Sequence, residues 1–210
     1  MGEIFKRAFT TKFETREENG NGIITGRPVM LESRTDLGFC DEIIAADALR
    51  GTDLTDVRLC LNHDTSYVYA RSRRNNGNST MTLMTDALGL SFTAALAIDA
   101  SPKAQDYYTA VQRGDIDKMS FMFTIDGYEW ENLKSDHPTR RITSIGTIYE
   151  ISAVTFPAYD STSIEARDAM ALESVRRELE SARAALLKPP DGGEIDLAKA
   201  LYFYTRRKSE

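Results

Sequence analysis

Between Glu3 and about Phe156 the chain alternates short runs of β-branched and aromatic residues with polar turns, a pattern that predicts closely spaced strands. The predicted strands cover Ile23–Thr25, Val57–Leu61, Tyr67–Arg71, Thr80–Thr85, Leu90–Leu96, Met119–Asp126 and Arg141–Phe156. Two helical windows interrupt them, one at Asp41–Leu49 and one at Pro102–Arg113. The second carries its own punctuation: Ser101 can cap it, Pro102 fits a first turn, and Gly114 lies just past its end. The expected core is therefore mainly β with inserted helices, an α+β chain. After Phe156-Pro157 the pattern changes to an Ala, Glu and Arg-rich helix over Ile164–Lys188, closed by Pro189-Pro190-Asp191-Gly192-Gly193. Leu172, Val175, Leu179, Ala182 and Leu186 repeat at 3-4-3-4 spacing along it. That stripe is about two heptads long, and it fits two readings equally: packing on the chain's own strands, or docking a partner or second copy. The expected division is residues 1–163 as a strand domain and residues 164–210 as a helical tail.

Composition narrows the classes. A chain of 210 residues with 41% hydrophobic content can bury one substantial core, and no apolar run approaches the 18 or more residues of a membrane helix. No membrane partner is expected. The segment Met1–Phe13 carries Lys6, Arg7 and Lys12 without the apolar centre of a signal peptide, so a cytoplasmic location is expected. A net charge of −6 argues against broad nucleic-acid binding, which needs a clustered positive surface. Arg71, Arg73 and Arg74 are the local exception, but they adjoin Asn75, Asn76, Gly77 and Asn78 and read as a solvated turn. Cys40 and Cys60 lie in apolar runs with no metal-ligand spacing and read as buried small hydrophobes; no metal or cofactor is expected.

Candidate chemistry rests on three places. Of the two histidines, His137 sits in the polar loop Lys134-Ser135-Asp136-His137-Pro138, whereas His63 ends a predicted strand in Leu61-Asn62-His63-Asp64. A turn histidine between Asn and Asp is also the ordinary solvated case. In Asp117–Ile125, period-two alternation puts Met119, Phe121, Phe123 and Ile125 on one face and Lys118, Ser120, Met122 and Thr124 on the other. Ser120 thus points away from the main apolar row, as an ordinary sheet serine also can. No Gly-x-Ser-x-Gly elbow is present, which argues against an α/β-hydrolase. In Ile148–Pro157, Glu150 shares a face with Ile148, Ser152, Val154 and Phe156. A carboxylate among apolar neighbours needs a partner, and a histidine N–H, Arg140 or Arg141 can supply one; a structural ion pair is the competing reading.

The blocks Val57–Asp64, Arg113–Phe123 and Tyr149–Tyr159 resemble, in order and spacing, the signature blocks of the prohead serine proteases of tailed bacteriophages. The resemblance extends over roughly Ile23–Arg167. It implies a herpesvirus-assemblin-like closed or nearly closed β-barrel surrounded by helices. It also implies a serine endopeptidase that cleaves scaffold and coat-protein prosegments inside the immature capsid, in the host cytoplasm, with self-cleavage as a further activity of the family. By position, it makes Ser120 the nucleophile, His63 the general base and Glu150 the third member, with Asp64 or Asp117 as other residues able to orient the histidine. Thr65 stands where the family commonly has proline, and Met122 where it commonly has glycine. Two alternatives remain open: a Ser120–Lys118 pair on one strand face, and a non-enzymatic capsid or scaffold-interaction module.

Overall fold

Residues 3–156 and 166–187 are described by the computed structural model of the chain. The backbone's longest ladder joins β10 (Lys118–Glu131) to β11 (Thr139–Val154) as an antiparallel hairpin. Around it assembles a seven-stranded sheet in the order β1 (Ile4–Thr10), β10, β11, β5 (Asp41–Ile44), β4 (Arg34–Asp36). β11 is long enough to pair in parallel with two different strands on the same edge. Its first part takes β5, and its last part takes β6 (Arg58–Leu61), which in turn pairs with β7 (Ala70–Arg71). A second, four-stranded sheet runs β2 (Glu14–Glu18), β3 (Asn21–Met30), β9 (Gly89–Leu96), β8 (Met81–Asp86).

The two sheets do not close into the barrel that the family resemblance implied. They meet instead at corners: Glu32 N–H donates to the Ile44 carbonyl at 2.8 Å, and Thr80 bridges β7 to β9 through its backbone. The β3–β9 ladder itself breaks between Gly26 and Val29, where Pro28 has no N–H to give. Phe5, Phe9, Met119, Phe121, Phe123, Ile151 and Leu59 fill the inner face of the larger sheet against Ile24, Val29, Leu90 and Phe92 of the smaller.

The window Asp41–Leu49, expected to be helical, is a strand followed by turns. An apolar run of this length carries too few positions to separate the two periods, and pairing with β4 and β11 decides it. The Tyr67–Arg71 run likewise keeps only Ala70–Arg71 as strand, whereas β1 and β2 arise from segments not anticipated as strands. The helix α1 (Pro102–Gln112) forms as its caps predict: Ser101 Oγ accepts from Ala104 N–H at 3.3 Å, and Gly114 adopts φ +77°.

The helix α2 (Ala166–Leu187) turns its stripe onto its own chain, with Ala171, Val175 and Leu179 buried and Leu186 exposed. Arg183 donates to the Leu133 and Ser135 carbonyls, and Glu178 accepts from Arg140 at 2.7 Å. The centre of the stripe is therefore occupied within the chain and is not an open face for a second copy. The break after Lys188 and the segment Glu194–Tyr204 lie outside the described residues.

Arg140 belongs to a buried cluster. Its Nη1 and the Arg7 guanidinium both hold Glu42, and all three side chains are at most 2% exposed. Burial pushes the Glu42 carboxyl up, but the two guanidiniums outweigh it and hold the group below its ordinary value. A lowered carboxyl contributes stability above the unfolded value of 4.5, and that stability is lost as pH falls through the folded value. Glu42→Ala, which leaves two buried cations without their shared anion, is expected to destabilise the fold by about 3–5 kcal/mol. Urea unfolding at pH 7 measures the loss, and the difference from wild type should shrink as the pH is lowered below about 4.

Candidate active site

The outer face of the larger sheet carries a polar row across β10, β11 and β6. Register sets Met122, Glu150 and Arg58 in one line across β10, β11 and β6, and Ser120, Ser152 and Cys60 in the next. Side chains opposite each other on neighbouring strands share a face, with Cβ atoms about 4.5–5.5 Å apart. Ser120 and Ser152 are therefore lateral neighbours, and Glu150 is diagonal to Ser120.

The turn after β6 brings the histidine over this grid. Asn62 and His63 both occupy the left-handed region, at φ +51° and +59°. For residues with a Cβ this costs about 1–2 kcal/mol each, so the surroundings must hold them there. Three contacts do so. Asn62 N–H donates to the Ala153 carbonyl at 2.9 Å, its Oδ1 accepts from Thr155 N–H at 2.9 Å, and His63 N–H donates to Ser152 Oγ at 3.1 Å. Beyond the turn, Tyr67 and Tyr69 stack edge-on, Tyr69 lies 4.6 Å from Tyr107 of α1, and Tyr67 hydroxyl bonds Ser101 Oγ at 2.9 Å. The helix thus anchors the far end of the loop that carries His63.

His63 Nδ1 lies 2.5 Å from Glu150 Oε1, and Ser152 Oγ donates to Glu150 Oε2, also at 2.5 Å. Glu150 is 1% exposed, so its sequence-predicted need for a partner is met by the histidine and a serine rather than by Arg140 or Arg141. With the carboxylate ionised, Nδ1 carries the proton, and Nε2 is the nitrogen left to accept one. Ser120 is buried at 1% exposure, and its Oγ has no hydrogen-bond partner among the described residues.

The other candidates are engaged elsewhere. Asp64 Oδ1 accepts from Ser66 N–H and Oγ. Lys118 Nζ pairs with Asp117 at 3.1 Å. Arg140 serves Glu42 and Glu178, and Arg141 serves Glu32 and Glu131. His137 lies against Asp36 and Asp41 at 3.5 and 3.3 Å, where Arg34 also holds Asp41. Two arginines of the Arg71–Asn78 turn are tied locally, Arg71 to Asp56 and Arg73 to the Asn78 carbonyl. Ser152 was not among the candidate residues read from the sequence. Its alternation with Glu150 was visible, but its bond to a loop 89 positions away was not.

A family model for caudovirus prohead serine proteases matches residues 9–177. The chain belongs to that family. Membership makes it a serine peptidase at the level of the family, and His63, Ser120 and Glu150 all fall within the matched span. Searches of curated proteins and of solved structures return no match.

The two cysteines of this family member are free and buried. Burial pushes the Cys60 thiol up to about 12, and the Glu150 charge adds to it; Cys40 is likewise raised to about 12 by burial and by Glu42. Thiolate is the reactive form, and at pH 8 almost none is present at such values. The native protein should therefore resist iodoacetamide at both cysteines and become labelled at both in denaturant, as read by intact mass.

Proposed function

We propose that the chain is a serine endopeptidase of phage capsid maturation in which Ser120 attacks, His63 acts as general base and Glu150 orients the histidine. The observation that carries this reading is the bond from His63 Nδ1 to the buried Glu150, made beside a serine on the adjoining strand that has no hydrogen-bond partner among the described residues. A general base needs its second nitrogen protonated and held, and a carboxylate at Nδ1 does both. His63 Nε2 takes the Ser120 proton as Oγ attacks the peptide carbonyl, and the imidazolium that forms is stabilised by Glu150. The same nitrogen returns the proton to the leaving amine, after which water hydrolyses the acyl-enzyme by the reverse cycle. Burial of Glu150 strengthens this stabilisation, because the attraction between carboxylate and imidazolium is screened less inside the protein than in water.

The substrates in this reading are the capsid protein and its scaffold segment, and the site of action is the interior of the immature capsid. Family membership supports that reading. Among the described residues no helix is long and apolar enough to cross a membrane. Residues 1–163 then supply the catalytic unit. Residues 164–210, through α2, supply a tail whose stripe is packed on that unit.

Lys118 as base is the weaker alternative, since its ammonium is paired with Asp117. A fluorophosphonate probe should label wild type at Ser120 and fail on Ser120→Ala. His63→Ala should lower the labelling rate at least 10³-fold, Lys118→Ala by less than about threefold, and Glu150→Gln by about 10²- to 10⁴-fold. Labelling that persists in Ser120→Ala, or that depends on Lys118 and not on His63, overturns the assignment. An unlabelled wild type favours the non-enzymatic capsid or scaffold-interaction module.

A further inference from the structure

Two serines stand side by side at this site, and only one can be the nucleophile. Ser152 is 0% exposed and its hydroxyl is doubly committed: the proton goes to Glu150 Oε2 at 2.5 Å, and the oxygen accepts His63 N–H at 3.1 Å. Ser120 opposite it has no partner among the described residues. A hydroxyl that must give up its proton to an imidazole cannot already be giving it to a carboxylate, so the arrangement selects Ser120 for attack and leaves Ser152 another task.

We propose that Ser152 is a positioning residue: one hydroxyl holds both the orienting carboxylate and the backbone of the base, so that Glu150 and His63 are fixed relative to each other. This inference rests on the peptidase reading above and deepens it. The geometry explains how a strained turn is kept in register with a strand. His63 sits at φ +59°, and its own amide is pinned by the side chain that also pins the partner of its ring. Without that hydroxyl the ring and the carboxylate lose their common anchor. Glu150 also loses its hydroxyl donor while buried, keeping beside the His63 ring only the weak donor of the Cys60 thiol, a costly state for a carboxylate.

The groups that face Glu150 set the sign of the effect on pH dependence. Arg58 is opposite it in register on β6, with its guanidinium held by Asp56. Cys60 lies opposite Ser152, and Tyr107 approaches from α1; burial pushes both of their ionisations up, so both stay neutral through the working range. The Ser152 donor stabilises the carboxylate most when the imidazole is neutral and the negative charge is unmatched. Removing it therefore disfavours the state that carries out catalysis, and the acid limb of the pH–rate profile must move upward.

The test is the pH profile of fluorophosphonate labelling, with the adduct located by peptide mass spectrometry, for wild type, Ser152→Ala and Ser152→Thr. Ser152→Ala should label at Ser120 about 10- to 100-fold more slowly, with the acid limb raised by about one pH unit, the scale of one charge-assisted hydrogen bond. Ser152→Thr, which keeps the hydroxyl, should recover most of the rate and the original limb. A readout independent of turnover is the far-downfield proton resonance of the His63 Nδ1–H bond to Glu150, which should weaken or move upfield in Ser152→Ala. Should that variant not fold, Ser152→Cys keeps the volume with a poorer donor and should give the same direction. Wild-type rate, limb and resonance in Ser152→Ala overturn this inference alone; an adduct on Ser152 overturns it together with the assignment of Ser120 as nucleophile. A wild type that does not label at all removes the peptidase reading and this inference with it.

Discussion

The register between β10 and β11 is the constraint on which the rest of the molecule depends. In the segment Lys118–Met122 against Glu150–Val154 the ladder is regular, and only beyond Met122 do bulges shift it. A slip of one residue there would turn Ser120, Glu150 and Ser152 to the inner face and Phe121, Ile151 and Ala153 to the outer. The apolar residues make such a slip prohibitive, because Met119, Phe121, Ile151 and Ala153 are all fully buried against the second sheet. Hydrophobic packing on one face thus fixes the alignment of the polar groups on the other. The bulges beyond Met122 matter as well. They leave the remainder of the hairpin free to follow a different path, where β11 exchanges β6 for β5 as its parallel neighbour.

That division gives two of the sheet's buried carboxylates contrasting surroundings. Glu42, beside the first part of β11, is held by the permanent cations Arg7 and Arg140 and reads as a structural anchor, with Arg140 extending the cluster to Glu178 of α2. Glu150, beside the last part, is held by a histidine and a hydroxyl, neither of which carries a fixed charge. A guanidinium neutralises a carboxylate once and for all. An imidazole does so only when it takes a proton, so a Glu–His pair can follow a reaction that a Glu–Arg pair cannot. The difference in partner, more than burial, separates Glu150 from Glu42.

The strain at Asn62 and His63 belongs to the same design. β6 delivers the chain to the edge of the grid, and an extended continuation would carry the imidazole past it. Two successive left-handed residues turn it back over β11, and the three bonds that hold them run to Ser152 and Ala153 of that strand and to Thr155 just past its end. β11 therefore supplies Glu150, the Ser152 hydroxyl that restrains His63, and the lateral neighbour of Ser120.

Much of this was legible in the chain itself. Alternation assigned Ser120 to the face opposite Met119 and Phe121, and the same period put Glu150 and Ser152 together, because a strand's two-residue repeat is a local property. The caps of α1 were readable for the same reason, and the apolar setting of Glu150 already demanded a partner. Tertiary structure decided which partner. It chose His63 over Arg140 and Arg141, turned Asp41–Ile44 from an expected helix into a strand between β4 and β11, and left two sheets joined at corners in place of a closed barrel. It also gave the α2 stripe a place on the chain's own strands. Those outcomes depend on pairings between segments far apart in sequence, such as His63 with Glu150 and Glu42 with Arg7 and Arg140, and no local period encodes them.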